Sequence, residues 1–111
     1  MTEKLFSYGT LQNEETQLRL FGRILNGLGD ILEDYKVSSV EIFDETFLAL
    51  DEARTQKTLV PTGICGDFVE GTVFEISKEE LSLAEKYEPK NYMKMKVKLK
   101  SGNEAWIFIA M

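Results

Sequence analysis

The chain predicts a small α+β domain with two main helices, in the order β-α-β-β-α-β-β over residues 1–111. Three observations lead there. Apolar runs of β-forming residues stand near both ends of the chain and at residues 68–76. Two stretches carry apolar residues at helical spacing behind a capping residue, and turns bearing glycine separate the runs. At 111 residues one core is expected, burying roughly two-thirds of the surface that the unfolded chain exposes.

Residues 4 to 8 read as the first strand, which breaks into Tyr8-Gly9-Thr10-Leu11 with glycine where the backbone turns. A strand feeding such a turn can aim a row of backbone N–H groups at an anion. Asn13 predicts a helix cap, and the helix is expected to run to about residue 25, with Leu18, Phe21 and Leu25 at helical spacing and Glu14 and Glu15 in its first turn. Asn26-Gly27-Leu28-Gly29 reads as the stop and turn; it lacks the third glycine of a dinucleotide loop and follows a helix rather than a strand. From Asp30 to about Phe43 the chain predicts one long strand or two short ones, and Phe47 to Leu50 another. Pro61 and Gly63 break any period in residues 51–67, where no element is read. Phe68 to Ile76 is a strand containing Gly71, where the missing side chain permits a bulge or the close approach of a ligand. Ser77 with Glu80 forms a capping-box pattern that opens a helix through about Glu88. Met93, Met95, Val97 and Leu99 then alternate with Lys94, Lys96, Lys98 and Lys100, Ser101-Gly102-Asn103 turns the chain, and Ala105 to Ile109 finishes the sheet.

Composition narrows the chemistry. A hydrophobic fraction of 43% with 29% charged residues fits a soluble globular chain, and no window approaches the roughly 18 apolar residues of a membrane span. Thr2, Glu3 and Lys4 lead directly into a strand without the basic and apolar regions of a signal peptide, so a cytoplasmic location is expected. A net charge of −6 argues against a nucleic-acid partner, and the alternating lysines read as the solvated face of an edge strand. With no histidine and one cysteine, His-dependent triads are excluded and neither a metal nor a cofactor is expected. General-base work must fall to a carboxylate. Cys65 reads as a small core or loop residue, its free thiol suited to a reducing compartment. The cluster of Glu41, Asp44, Glu45, Asp51 and Glu52 lacks calcium-loop spacing and reads as solvated surface, and Glu70 and Glu75 as outward strand carboxylates.

The informative residues are Tyr8-Gly9-Thr10-Leu11 near the N-terminus, Gly71-Thr72-Val73-Phe74 before the second helix, Tyr87-Glu88 with Tyr92 after it, and Ala105-Trp106-Ile107-Phe108 at the end. Together they resemble the γ-glutamylcyclotransferase-like family, including its short bacterial and avirulence-induced-gene-like members, nearly end to end and least over residues 44–67. The resemblance implies a β-barrel-like fold and an enzyme that converts a γ-glutamyl amide to 5-oxoproline and a free amine. It further implies Glu88 as the catalytic base and Tyr8, Gly9, Thr10 and Leu11 as the loop holding the glutamyl part through its backbone. Tyr92 matches a substrate-side tyrosine. Two departures stand out. Only Pro89, Lys90 and Asn91 separate Glu88 from Tyr92, and Lys94 stands where arginine is common. Strand alternation also puts Tyr92 on the lysine face unless a bulge rotates it inward.

The chemistry needs no enzyme nucleophile, because the substrate's α-amine can attack its own γ-carbonyl and close a five-membered ring. The protein must manage protons and charge. A carboxyl raised by burial toward about 6 to 7 narrows the gap to an ammonium of about 8 and can return the proton to the leaving nitrogen. Backbone N–H groups near Gly9 can hold the α-carboxylate or the developing oxyanion. Two alternatives remain open from the residues: a module that binds a small molecule in the same pocket without turnover, and a small interaction protein whose pocket is vestigial.

Overall fold

A computed structural model describes residues 2–50 and 54–110, with the backbone alone at position 10. Leu5 and Phe6 are adjacent, apolar and both 1% exposed. Neighbouring strand residues point to opposite sheet faces, so a strand that buries both must be covered on both. That strand, β1 (Thr2–Ser7), is the centre of the molecule. After it come a 3-10 turn (Thr10–Gln12), α1 (Glu14–Phe21), β2 (Gly27–Glu33), β3 (Tyr35–Glu41), α2 (Glu45–Leu48) and β4 (Thr55–Pro61). The chain continues through β5 (Phe68–Ser77), α3 (Lys78–Tyr87), β6 (Tyr92–Lys98) and β7 (Glu104–Ala110).

Five strands form one mixed sheet in the order β2-β5-β1-β7-β6, while β3 and β4 pair as a separate hairpin. β1 runs antiparallel to β5 and parallel to β7. The turn after β6 curls back on the far edge, where Lys100 N–H donates to the Ile31 carbonyl and Ser101 to the Asp30 carboxylate. Leu5, Phe74, Ile76 and Phe108 bury one sheet face against Leu81, Ala84 and Tyr87 of α3. Phe6, Val73, Ala105 and Ile107 bury the other against Leu59 of the hairpin and Leu32.

The α+β class and the run of strands and helices follow the sequence expectation, with differences where tertiary contacts override local pattern. Gly22, not the glycines at 27 and 29, ends α1: it adopts φ 74° and returns its N–H to the Leu18 carbonyl. Gly27 and Gly29 instead pair within β2 against Phe74 and Thr72, and a Cβ at Gly27 would lie 2.6 Å from either side chain. The extended stretch from Asp30 is two strands in different sheets, broken at Asp34, whose φ is 68°. Phe47 to Leu50 is not a strand. Asp44 caps α2 there through the N–H groups of Thr46 and Phe47. The unread region contains β4, while Asp51 and Glu52 of the acidic cluster lie outside the described residues. Gly71 sits in unbroken register with Asp30, and the chain that approaches it is β1: a Cβ would come 2.5 Å from the Ser7 carbonyl oxygen. Cys65 is an exposed loop residue.

Candidate active site

β1 ends at Ser7, and the chain then bends through Tyr8 and Gly9 into the 3-10 turn, where the Gln12 N–H closes on the Gly9 carbonyl. Gly9 does not take a positive φ, and a Cβ there would meet nothing within 4 Å. Its value to a ligand is therefore open space above the backbone rather than left-handed freedom. The turn is fixed from beneath by Gln17, 2% exposed, whose amide donates to the Leu11 carbonyl and accepts from the Leu25 N–H.

Opposite this turn stands Glu88. The capping box at Ser77 and Glu80 starts α3, and the buried Pro89 stops it, because a residue before proline is pushed out of the helical region. Glu88 accordingly has φ −67° and ψ 150°, while its own N–H still reaches the Ala84 carbonyl. The chain returns at once, the Tyr92 N–H bonding to the Pro89 carbonyl, and Asp44 holds the loop by accepting from the Lys90 N–H. Glu88 and Tyr92 are thereby brought to one place with Glu88 half-buried.

Tyr92 reaches the site without a bulge. β6 keeps regular register with β7, so Tyr92, Lys94 and Lys96 share a face with Ala110, Phe108 and Trp106. At Tyr92 and Lys94 that face is packed against the helix side, while Lys96, Lys98 and Lys100 further along are exposed, as the sequence reading has them. Lys94 pairs with Glu85 on α3, and the ammonium groups of Lys94 and Lys96 lie 4.5 and 4.9 Å from the centre of the Trp106 ring. β6 is nonetheless the edge strand the lysines suggested.

One cavity of about 400 Å³ takes in Tyr8, Gly9 and Leu11 from the turn, Glu88 and Tyr92 from the α3–β6 junction, and Phe108 from β7. Thr10 opens the 3-10 turn between them. Sequence reasoning missed another part of the wall: Phe47 of α2 and Thr55, Gln56 and Lys57 of β4. Only the β-branched and apolar run Thr58-Leu59-Val60 could have announced β4, and nothing local says that it folds across to this cavity.

Both phenols are held by backbone carbonyls. Tyr8 donates to Phe108, and Tyr92 to Lys57 at 2.7 Å, which pins the β4 wall to the junction. Burial raises the Tyr8 hydroxyl well above its ordinary range, and the negative charges of ionised Tyr92 and of Glu88 add to it, with a hydrogen bond to Thr58 pulling the other way. Tyr92 is pushed up to about 12 by burial and then by Glu88. Both tyrosines therefore stay neutral near pH 7. The arrangement offers one carboxylate, two neutral phenols and a backbone turn around a volume suited to a small molecule.

A family model described as gamma-glutamyl cyclotransferase, AIG2-like, matches residues 5–111. A search of the curated proteins found no match. Among solved structures, the chain is similar to an Arabidopsis thaliana protein known from a solution structure, with TM-score 0.73 and 14% identity over 99% of this chain and 62% of that one. It is also similar to a gamma-glutamyl cyclotransferase, with TM-score 0.73 and 22% identity over 100% of this chain and 68% of the other. A third is a uropathogenic E. coli-specific protein, with TM-score 0.65 and 19% identity over 100% and 80%. At these identities the likeness is one of fold.

Proposed function

The chain belongs to the gamma-glutamyl cyclotransferase, AIG2-like family, and from that premise we propose that it converts a γ-glutamyl amide, of an amine or amino acid, to 5-oxoproline and the free amine, with Glu88 as general base and acid. The observation that carries the reading is the shared cavity, which has the Gly9 turn on one side and Glu88 on the other.

In this reading Glu88 accepts a proton from the substrate's α-ammonium. The freed nitrogen attacks the γ-carbonyl carbon, closing the ring, and the γ-carbonyl oxygen carries the developing charge toward backbone N–H groups of the Tyr8–Leu11 turn. Collapse breaks the original amide C–N bond as Glu88 returns its proton to the departing nitrogen, and the ring nitrogen then gives up its second proton through Glu88 to the released amine, which leaves as an ammonium. The sum is one amide in, one lactam and one amine out, with no net proton, water or electron. The half-buried setting of Glu88 and the neutral phenols beside it suit a carboxyl that must both take and give a proton.

The test is release of 5-oxoproline, measured by mass spectrometry across a panel of γ-glutamyl amines, γ-glutamyl amino acids and glutathione. Turnover of at least one class is expected. No release from any of them, with binding retained, would replace this reading with that of a small-molecule binding module.

A further inference from the structure

We propose that Asp44 is a positioning residue: from the start of α2 its carboxylate clamps the segment that carries Glu88, so that this short helix sets where Glu88 stands in the cavity. That Glu88 is the base rests on the reading above. The clamp rests on contacts made on either side of it.

Glu88 leaves α3 in extended geometry, and Pro89 has no N–H with which to continue the helical ladder. The turn that follows closes on itself, the Tyr92 N–H bonding to the Pro89 carbonyl, which leaves the turn as a unit to be anchored from elsewhere. α2 reaches it at two points. One residue before Glu88, the Tyr87 ring meets the Phe47 ring edge-on, with centres 5.8 Å apart and planes at 65°, and both residues are buried. Two residues after Glu88, the Lys90 N–H donates to Asp44 Oδ2 at 3.0 Å. The other oxygen of the same carboxylate, Oδ1, accepts from the N–H groups of Thr46 and Phe47 at 3.0 and 3.4 Å. One side chain thus fastens the start of α2 and the Lys90 turn to a single point. Apolar contact between rings is non-directional, whereas the Lys90 bond fixes the turn in one direction. A carboxylate suits this work because both its oxygens accept, while an amide has one acceptor and one donor. The Lys90 N–H is the foremost cause holding the Asp44 carboxyl below its ordinary range, which keeps both oxygens acceptors near neutral pH. At four residues α2 is too short to persist unaided, and cap and clamp secure it together. Phe47 and Glu88 line the same cavity, so α2 supplies both a wall and the aim.

Asp44→Asn separates the two tasks. Asparagine caps helices about as well as aspartate, so its carbonyl oxygen retains α2, but its amide nitrogen then faces the Lys90 N–H, donor against donor. Asp44→Ala removes cap and clamp together. The melting temperature is expected to stay near wild type in Asp44→Asn and to fall in Asp44→Ala, while kcat falls by about tenfold to 10²-fold in both and KM stays within about threefold. Activity that follows the melting temperature instead, near wild type in Asp44→Asn and reduced only in Asp44→Ala, overturns the proposal. In a Glu88→Gln background there is no base left to aim, so adding Asp44→Asn should change the residual rate by no more than about twofold. A second loss of full size there is the mark of a merely structural role and overturns it too. The position of Glu88 is also read without turnover, by carbon-13 NMR of the glutamate side-chain carboxyls, with Glu88 assigned through its absence from Glu88→Gln. Asp44→Asn should displace the Glu88 resonance and leave that of Glu80 in place; an unmoved Glu88 resonance overturns the proposal whether or not any substrate is turned over. A wild type that releases no 5-oxoproline strikes the proposed function, and the resonance then decides the clamp by itself.

Discussion

At Glu88 the decisive property is a proton acceptor in the right place, and glutamine keeps the shape without it. Glu88→Gln is expected to lower 5-oxoproline formation by the roughly 10²-fold to 10⁴-fold typical of general acid–base catalysis, with the melting temperature little changed. Glu85, one helical turn earlier, is the control. Although it pairs with Lys94, its side chain is 44% exposed and it is absent from the cavity wall. Glu85→Gln should leave turnover within about twofold, since exposed ion pairs contribute little. Equal rates for wild type and Glu88→Gln would refute the role given to Glu88. Gly9 poses a different question, because its backbone demands no unusual φ and a Cβ would meet no protein atom. Gly9→Val should therefore fold with a near-normal melting temperature and lose ligand affinity by tenfold or more, through bulk in the ligand's space. Undiminished affinity would place the ligand elsewhere.

The direction in which Glu88 leaves α3 depends on one neighbour, Pro89, which forbids another helical residue before it and sends the chain back through the Tyr92 turn. Pro89→Ala lifts that restriction. The carboxylate can then be carried onward in a longer helix, and kcat/KM is expected to fall by about tenfold to 10²-fold, since misplacement of about an ångström suffices. Far-ultraviolet circular dichroism should show no loss of helix; unchanged kcat/KM would mean that packing alone aims Glu88. The same scale explains what the sequence made legible. Asn13 and Ser77 announced α1 and α3 because a cap is a local device, written in adjacent residues. Phe47 to Leu50 misled because a short apolar run fits either periodicity, and the Asp44 cap decided for helix. Gly27 and Gly29 misled because they pair within β2 rather than turn the chain, Gly27 seating closely on Phe74 and Thr72. That reason lies across the sheet and leaves no mark nearby.

For the molecule as a whole, only part of the cavity could be read from the chain. Tyr8, Gly9, Leu11, Glu88 and Tyr92 do meet, but the wall from Thr55 to Lys57 comes from a hairpin outside the main sheet, placed by long-range bonds such as Tyr92 to Lys57 and Ala110 to Thr58. Those bonds also set how the fold responds to pH. At Asp30, desolvation pushes upward, but the Ser101 hydroxyl and the Ile31 and Ser101 N–H groups prevail and hold it below its ordinary range. Glu80 is held down by Arg23. A carboxyl depressed in the folded state stabilises above its unfolded value near 4, and that stability is lost as pH falls through the folded value. The tyrosines act at the other end. The unfolded chain ionises its phenols near 10, whereas Tyr92 in the fold waits until about 12. Protons are then bound more tightly by the native state, so stability is intact below about 10 and drains away as pH rises toward 12. Urea unfolding across this range should give a plateau from about pH 5 to 10 with a fall on each side, and Tyr92→Phe should flatten the alkaline fall relative to wild type while leaving the acid fall where it is. An alkaline limb that does not move in Tyr92→Phe would mean that this phenol is not sheltered, and that the β4 wall is not closed over the cavity in solution.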